Sequence, residues 1–117
     1  MHELSIADAI VSVADRNARG RRVLAVEVAI GELRQVVPSA LALGFQLCAE
    51  GTAVEGAELR VEQCRIRIVC RQCAEEGGAE PFPLRCDRCG SVDVDVVAGE
   101  ELHVVALELE ELQPVKI

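Results

Sequence analysis

The stretch "CRQCAEEGGAEPFPLRCDRC", residues 70–89, holds four of the six cysteines of this chain in two C-x2-C pairs. Two residues between thiolates let one turn direct both sulfurs at one ion, and two such turns supply four tetrahedral sulfurs, which suits zinc. Gly90 favours a tight turn that aims backbone N–H groups at sulfur. We therefore predict an inserted module over 70–92 with a structural zinc site formed by Cys70, Cys73, Cys86 and Cys89.

Other uses of these cysteines are an iron site, a redox dithiol pair or a zinc ribbon that binds nucleic acid. A redox pair favours a single C-x2-C at a helix N-terminus over two balanced pairs. A nucleic-acid ribbon needs net positive charge. The module offers arginines at 71, 85 and 88, but acidic residues at 75, 76, 80 and 87 offset them.

Composition limits the remaining function classes. The chain has 117 residues, half of them hydrophobic, which suits one domain or one domain with a small insert. Phe45 and Phe82 are the only aromatic residues, so the core must be aliphatic. A net charge of −8 without Trp or Tyr predicts no nucleic-acid partner, because little attracts phosphates or stacks on bases.

The amino terminus does not resemble a secretory signal, since it lacks a basic region and Asp8 interrupts the apolar stretch. No apolar run approaches the roughly 20 residues that span a bilayer. We therefore predict a cytoplasmic protein without a membrane partner, in which thiols stay reduced. Cys48 and Cys64, outside the C-x2-C pairs, are then expected to be buried core thiols.

The segments before the cysteines predict a helix, a strand and a second helix. The apolar periodicity of 4–18 predicts a helix that starts at Ser5, which forms a capping box with Asp8, and ends with a cap at Gly20. A strand at about 22–30 has two largely apolar faces, which predicts that it is central or covered on both sides. A helix at about 38–50 has Pro38 in its first turn, and its expected inner face is Leu41, Phe45 and Cys48.

Two further strands complete the pattern. In 57–69 the apolar alternation changes parity, which predicts a bulge near Gln63. The last strand, at about 101–111, includes His103, which we interpret as a strand residue rather than a minor nickel ligand. The predicted fold class is α+β, a three-stranded sheet with two helices on one face plus an inserted zinc ribbon. The predicted domains are 1–69 with 93–117, and the insert 70–92.

The first residues, "MHE", form a possible chelate. The Met1 amine, the His2 amide nitrogen and His2 Nδ1 lie in chelating sequence, and such donors suit Ni(II) or Cu(II). Glu3 is adjacent and offers a further donor through its backbone or carboxylate. On this chemistry alone, a solvated terminal histidine remains an alternative.

The sequence as a whole resembles one family. "MHELSIADAI" (1–10), "IGELRQVVPSALALGFQLCAEGTAVEGAELRVE" (30–62), the cysteine pairs followed by Gly90, and "GEELHVVALELEE" (99–111) resemble the HypA/HybF nickel metallochaperones of hydrogenase maturation, in family order. Asp87 stands where many members have proline, a change that should alter the turn little.

The resemblance implies a non-enzymatic protein with two metals. Nickel, the transient cargo, would bind at Met1, His2 and Glu3, and zinc at the four paired cysteines. The implied partners are the GTPase HypB and the NiFe-hydrogenase large subunit precursor. Some members also support urease maturation, and a homodimer is an open alternative. The competing hypotheses are a zinc-ribbon adaptor for protein or nucleic acid without a second metal, and a thiol redox enzyme.

Overall fold

The computed structural model describes residues 2–80 and 82–111. Along the chain lie helix α1, strand β1, a short 3-10 helix, helix α2 and strands β2 to β6. Their bounds are Glu3–Asn17 (α1), Val23–Gly31 (β1), Glu32–Arg34 (3-10), Pro38–Ala49 (α2), Glu58–Cys64 (β2), Arg67–Cys70 (β3), Glu76–Gly78 (β4), Val94–Ala98 (β5) and Leu102–Leu109 (β6).

The strands form two sheets. One has the order β2-β1-β6, with β1 central as its apolar faces predicted. The other has the order β4-β3-β5, in which β3 pairs antiparallel with both neighbours. The predicted α+β class, with two helices, a three-stranded sheet and a cysteine module, is confirmed.

The chain divides into two compact units. The described residues of the first fall in 1–28, 36–61 and 103–117, and the second comprises Ala29–Gln35 and Glu62–Leu102. The sheet of the second unit includes β3, which begins before residue 70, and β5, which lies after residue 92. The division into 1–69 with 93–117 and an insert of 70–92 stays a prediction.

Helix α1 begins at Glu3, so the predicted start at Ser5 with a capping box is wrong. His2 is the N-cap, it makes no side-chain cap, and its carbonyl accepts the Ile6 N–H at 2.9 Å. Ser5 therefore lies inside the first turn. An acidic Glu3 suits this position, because the amino end of a helix carries partial positive charge.

The carboxyl end of α1 also differs from the prediction. The helix ends at Asn17, its C-cap is Ala18 in a right-handed conformation, and the left-handed residues Arg19 and Gly20 follow. Gly20 thus belongs to the turn after the helix rather than to its cap. Two left-handed residues in succession redirect the chain into β1.

Helix α2 begins at Pro38 as predicted. Leu41 and Phe45 are buried, and Phe45 is the largest fully buried side chain among the described residues. Cys48 is only half-buried, so the predicted inner face holds for two of its three members. Helices α1 and α2 pack against each other within the first unit.

The parity change in 57–69 coincides with a change of sheet, so the prediction of one strand over this range is wrong, and the bulge near Gln63 stays a prediction. Strand β2 runs through Gln63 and ends at Cys64, and β3 starts at Arg67 in the other sheet. Between them the Ile66 N–H donates to Glu32 Oε1 at 3.0 Å. A register irregularity does occur, but in the pairing of β3 with β5, between Arg67 and Ile68.

Strand β6 is slightly shorter than the predicted 101–111. His103 lies within it and is exposed, so its place in a strand is confirmed, whereas the expectation that it does not bind nickel stays a prediction. Within 2–80 and 82–111, no helix has the length and apolarity that crossing a membrane would require.

Candidate metal centre

The four paired cysteines converge on one point in the second unit. Their sulfurs all lie within 4.8 Å of one another, with Cys70 Sγ 3.5 Å from Cys89 Sγ and Cys73 Sγ 3.6 Å from Cys86 Sγ. Among the described residues this is the one cluster of side chains with metal-ligand geometry.

These distances match a tetrahedral thiolate site. Zinc–sulfur bonds of about 2.3 Å require sulfurs about 3.8 Å apart in a tetrahedron. Within 2–80 and 82–111 no His, Asp or Glu side chain joins the cluster, and four protein donors close a tetrahedral site. The residues present therefore fit a structural ion that prefers sulfur and has no open coordination position.

Each pair occupies the same kind of turn. The Ala74 N–H donates to the Cys70 carbonyl, and the Gly90 N–H donates to the Cys86 carbonyl, both at 2.9 Å. Ala74 and Gly90 both have a positive φ, of 63° and 73°. In the first turn, the Gln72 N–H also approaches Cys70 Sγ at 3.3 Å. Backbone geometry thus aims N–H groups at sulfur, as the glycine at position 90 predicted.

The four thiols differ in pKa because they have different neighbours. Backbone N–H groups of Cys89 and Arg88 lower the pKa of the Cys86 thiol to about 7. The Glu75 N–H favours the Cys73 thiolate, yet burial and the neighbouring sulfurs raise the pKa of Cys73 to about 12. Four adjacent thiols do not all ionise without a cation among them, because the thiolates repel one another. A divalent metal bound among the four sulfurs would supply that charge.

Strand β5 braces the first turn. The Arg71 guanidinium donates to Asp95 Oδ2 at 3.0 Å and to Asp93 Oδ1 at 3.3 Å. The Asp93 carbonyl accepts the Arg71 N–H at 3.0 Å. The sequence analysis did not find this clamp; its signal is two aspartates at alternate positions, one just before β5 and one within it. The clamp fixes Arg71, one of the two residues between the cysteines of the first pair.

The remaining cysteines are not part of the cluster. Cys48 and Cys64 are half-buried rather than buried, so the expectation of core thiols is wrong in its degree of burial. Burial and the nearby Glu101 and Glu62 raise the pKa of the Cys64 thiol, which keeps it protonated and a poor ligand.

The proposed nickel-binding terminus is described only in part. Met1 lies outside the described residues. His2 is exposed, whereas Glu3 is buried with 7% of its surface accessible. Glu3 Oε2 accepts the Val37 N–H at 3.0 Å, a contact that the sequence analysis did not anticipate. Nothing in local sequence links residue 3 to residue 37, so only the packed helices reveal it.

Comparison with known proteins gives a consistent result. Residues 1–109 match the family model described as "Hydrogenase/urease nickel incorporation, metallochaperone, hypA". The hydrogenase maturation factor HypA of Geobacter sulfurreducens is 44% identical over 115 residues, covering 94% of this chain and all of that protein. The HypA of Trichodesmium erythraeum is 41% identical over 113 residues, covering 96% of this chain and 98% of that protein.

Solved structures share the fold. The solution structure of the Ni metallochaperone HypA from Helicobacter pylori aligns with a TM-score of 0.67 at 23% identity, covering 93% of this chain and 97% of that one. At this identity the likeness establishes the architecture of the chain.

Proposed function

The chain belongs to the HypA family of hydrogenase nickel-incorporation metallochaperones, and from this premise we propose that it binds Ni(II) at Met1, His2 and Glu3. We propose further that Cys70, Cys73, Cys86 and Cys89 hold a structural zinc ion. The family match over 1–109 carries the nickel assignment, and the four-sulfur cluster carries the assignment of a closed structural site.

The chemistry of the terminus supports nickel. An amine, an amide nitrogen and an imidazole form adjacent chelate rings, and such nitrogen donors suit Ni(II). His2 is the N-cap of α1, so the amide nitrogens at 2 and 3 lie where a helix has no carbonyl partners for its N–H groups. Losing those protons to a metal breaks no intrahelical hydrogen bond. The exposure of His2 lets its ring approach an ion from solvent.

The two sites suit different tasks. Four sulfurs enclose an ion completely, which favours permanent binding and contributes directly to folding of the module. An exposed terminal chelate exchanges its ion, as a carrier must. The protein's role is then delivery without catalysis, and the nickel is cargo.

The proposed partners follow the family. We propose delivery to the NiFe-hydrogenase large subunit precursor together with the GTPase HypB, in the cytoplasm, with urease maturation and a homodimer as further possibilities of the same function. Nucleic acid is a poor partner. Of the three arginines in the module, Arg71 pairs with aspartates and Arg88 lies 3.9 Å from Glu75 Oε2.

The test uses untagged protein with its native terminus. We expect one zinc ion per chain as purified and additional nickel on titration. His2→Ala and a Gly-Ser extension before Met1 should each abolish tight nickel binding, since the extension converts the terminal amine into an amide. Zinc content serves as the internal control. A protein that contains zinc but takes up no nickel would instead support a zinc-ribbon adaptor. An extended protein that binds nickel as tightly as the native one would exclude the Met1 amine as a nickel ligand.

A further inference from the structure

Segment 91–95 follows the last cysteine, runs into β5 and contacts both cysteine turns. In the second turn, the Cys86 N–H donates to the Ser91 carbonyl at 2.8 Å. In the first turn, the Arg71 N–H donates to the Asp93 carbonyl at 3.0 Å. One short segment therefore joins, by backbone hydrogen bonds, two ligand turns that are distant in sequence.

Side chains reinforce the contact with the first turn. The Arg71 guanidinium donates to the carboxylates of Asp93 and Asp95. Asp95 receives two of these hydrogen bonds side by side, in a geometry that a lysine cannot reproduce. The Gln72 amide also donates to Asp93 Oδ2, at 3.5 Å. Both residues between the cysteines of the first pair thus contact segment 91–95.

The second turn has an arginine in a similar place without such a clamp. Arg88 is one of the two residues between the cysteines of the second pair, and its Nε lies 3.9 Å from Glu75 Oε2. The Arg88 side chain is 74% exposed, whereas that of Arg71 is 58% exposed. A single exposed ion pair at this distance orders its residues little, because water and salt screen it. The two turns therefore carry one clamped and one loosely paired arginine.

We propose that the clamp of Arg71 with Asp93 and Asp95 positions the first cysteine pair against the second and thereby slows release of the metal. This inference rests on the proposed structural zinc site. Folding of such a module and metal binding are coupled, so a contact that fixes one ligand turn to the segment holding the other keeps four sulfurs together. The three clamp residues are positioning residues that act without contacting the ion.

The first test measures zinc affinity by competition with a chelator for Arg71→Gln and Arg88→Gln. Each substitution removes one positive charge from a turn with two thiolates, so any direct effect of that charge on the metal is similar in both. Only Arg71→Gln breaks the clamp. We expect its affinity to fall about fivefold more than that of Arg88→Gln, as for the loss of well-formed ion pairs. Equal losses in the two variants would overturn the inference, because charge alone would then explain them.

Arg67→Gln shows whether any ion pair of the same sheet has this effect. Arg67 Nε lies 3.1 Å from Glu76 Oε1, and these side chains are about as exposed as those of Arg71 and Asp95. The pair joins β3 to β4 and includes no residue between cysteines. We expect Arg67→Gln to keep zinc affinity within about twofold of wild type. A loss as large as that of Arg71→Gln would assign the effect to general stability and overturn a positioning role.

A charge exchange tests the clamp directly. Arg71→Asp places a third carboxylate beside Asp93 and Asp95, and we expect zinc to dissociate about tenfold faster or more. Adding Asp95→Arg restores opposite charges and should recover most of this loss. A double variant that releases zinc as fast as Arg71→Asp would overturn the inference.

Cobalt(II) substitution reports on the ligands themselves. Thiolate absorption at saturating cobalt should be the same in wild type, Arg71→Gln and the charge-exchanged protein, because the clamp supplies no ligand. Weaker thiolate absorption in Arg71→Gln would mean that a cysteine has left the ion, and would overturn a role limited to positioning.

These outcomes separate the inference from the proposed function. Wild-type zinc affinity in both Arg71→Gln and Arg71→Asp overturns the role of the clamp alone. Wild-type protein without zinc, or full zinc retention in Cys70→Ala and Cys89→Ala, refutes the zinc site itself. Asp95→Asn removes one carboxylate charge with little change of shape, so it replaces Arg71→Asp if that protein does not fold, and it should weaken zinc binding about twofold to threefold. An Asp95→Asn protein with wild-type affinity would count against the clamp in the same way.

Discussion

The two cysteine turns offer a matched test of how backbone conformation sets metal affinity. After the second pair stands Gly90 at φ 73°, and after the first stands Ala74 at φ 63°. Both donate their N–H to the carbonyl of the first cysteine in the pair at 2.9 Å. The turns therefore share this backbone hydrogen bond and a left-handed residue at the same place, and we predict opposite effects for Gly90→Ala and Ala74→Gly.

The magnitude follows from the conformation alone. An L-residue in the left-handed region costs about 1–2 kcal/mol relative to its preferred conformations. A Cβ on Gly90 would meet no atom within 4 Å, so no clash adds to this cost. Gly90→Ala should thus destabilise the metal-bound turn by about 1 kcal/mol, and Ala74→Gly should stabilise its turn by a similar or smaller amount.

Zinc affinity is the sensitive measurement, because metal binding and folding of such a module are one process. A loss of about 1 kcal/mol corresponds to roughly fivefold weaker binding in competition with a chelator. We expect Gly90→Ala to release zinc more readily than wild type and Ala74→Gly to hold it equally or more tightly. Two variants that shift affinity in the same direction, or a Gly90→Ala protein with wild-type affinity, would refute this reasoning.

Three further outcomes are expected. Cys70→Ala and Cys89→Ala should each lose zinc, as metal analysis would show, and should become sensitive to proteolysis within 70–92. The helical circular dichroism signal should persist in both. Full zinc retention in both variants would reject the four-cysteine site. Nickel affinity should weaken as the pH is lowered from neutral to mildly acidic, because the amine, amide and imidazole must lose protons to bind the metal. A titration that gave the same affinity over this range would indicate oxygen ligands. The His103→Ala variant should bind nickel as wild type does, because we interpret His103 as an exposed strand residue rather than a ligand. Strongly weakened nickel binding in this variant would show that His103 is a ligand.

The elements that the sequence predicted well are those set by local pattern. Pro38 placed the start of α2, the two apolar faces of β1 placed it at the centre of its sheet, and the C-x2-C spacing identified the four clustered cysteines. In each case residues close together in sequence determine the feature, through the geometry of a helix start, the alternation of side chains along a strand or the spacing of two ligands in one turn.

The errors arise where tertiary structure overrides a local signal. The parity change after Gln63 was a real signal, but a bulge and a change of sheet produce the same alternation in one strand. Only the partner strands distinguish them. The capping box at Ser5 failed for a similar reason: α1 extends back to Glu3, whose carboxylate has a partner 34 residues away.

The two proposed metal sites differ in the same way. The sulfur site consists of two short turns, so its ligands, spacing and turn glycine are all visible in 20 residues of sequence. The proposed terminal site has its donors in three consecutive residues, and one of these, Glu3, accepts the Val37 N–H from another helix. A chelate on an unanchored terminus would pay the full entropy of ordering each time it took up an ion. The contact between Glu3 and Val37 forms when the chain folds, so residue 3 would lose less conformational freedom if the terminus took up an ion.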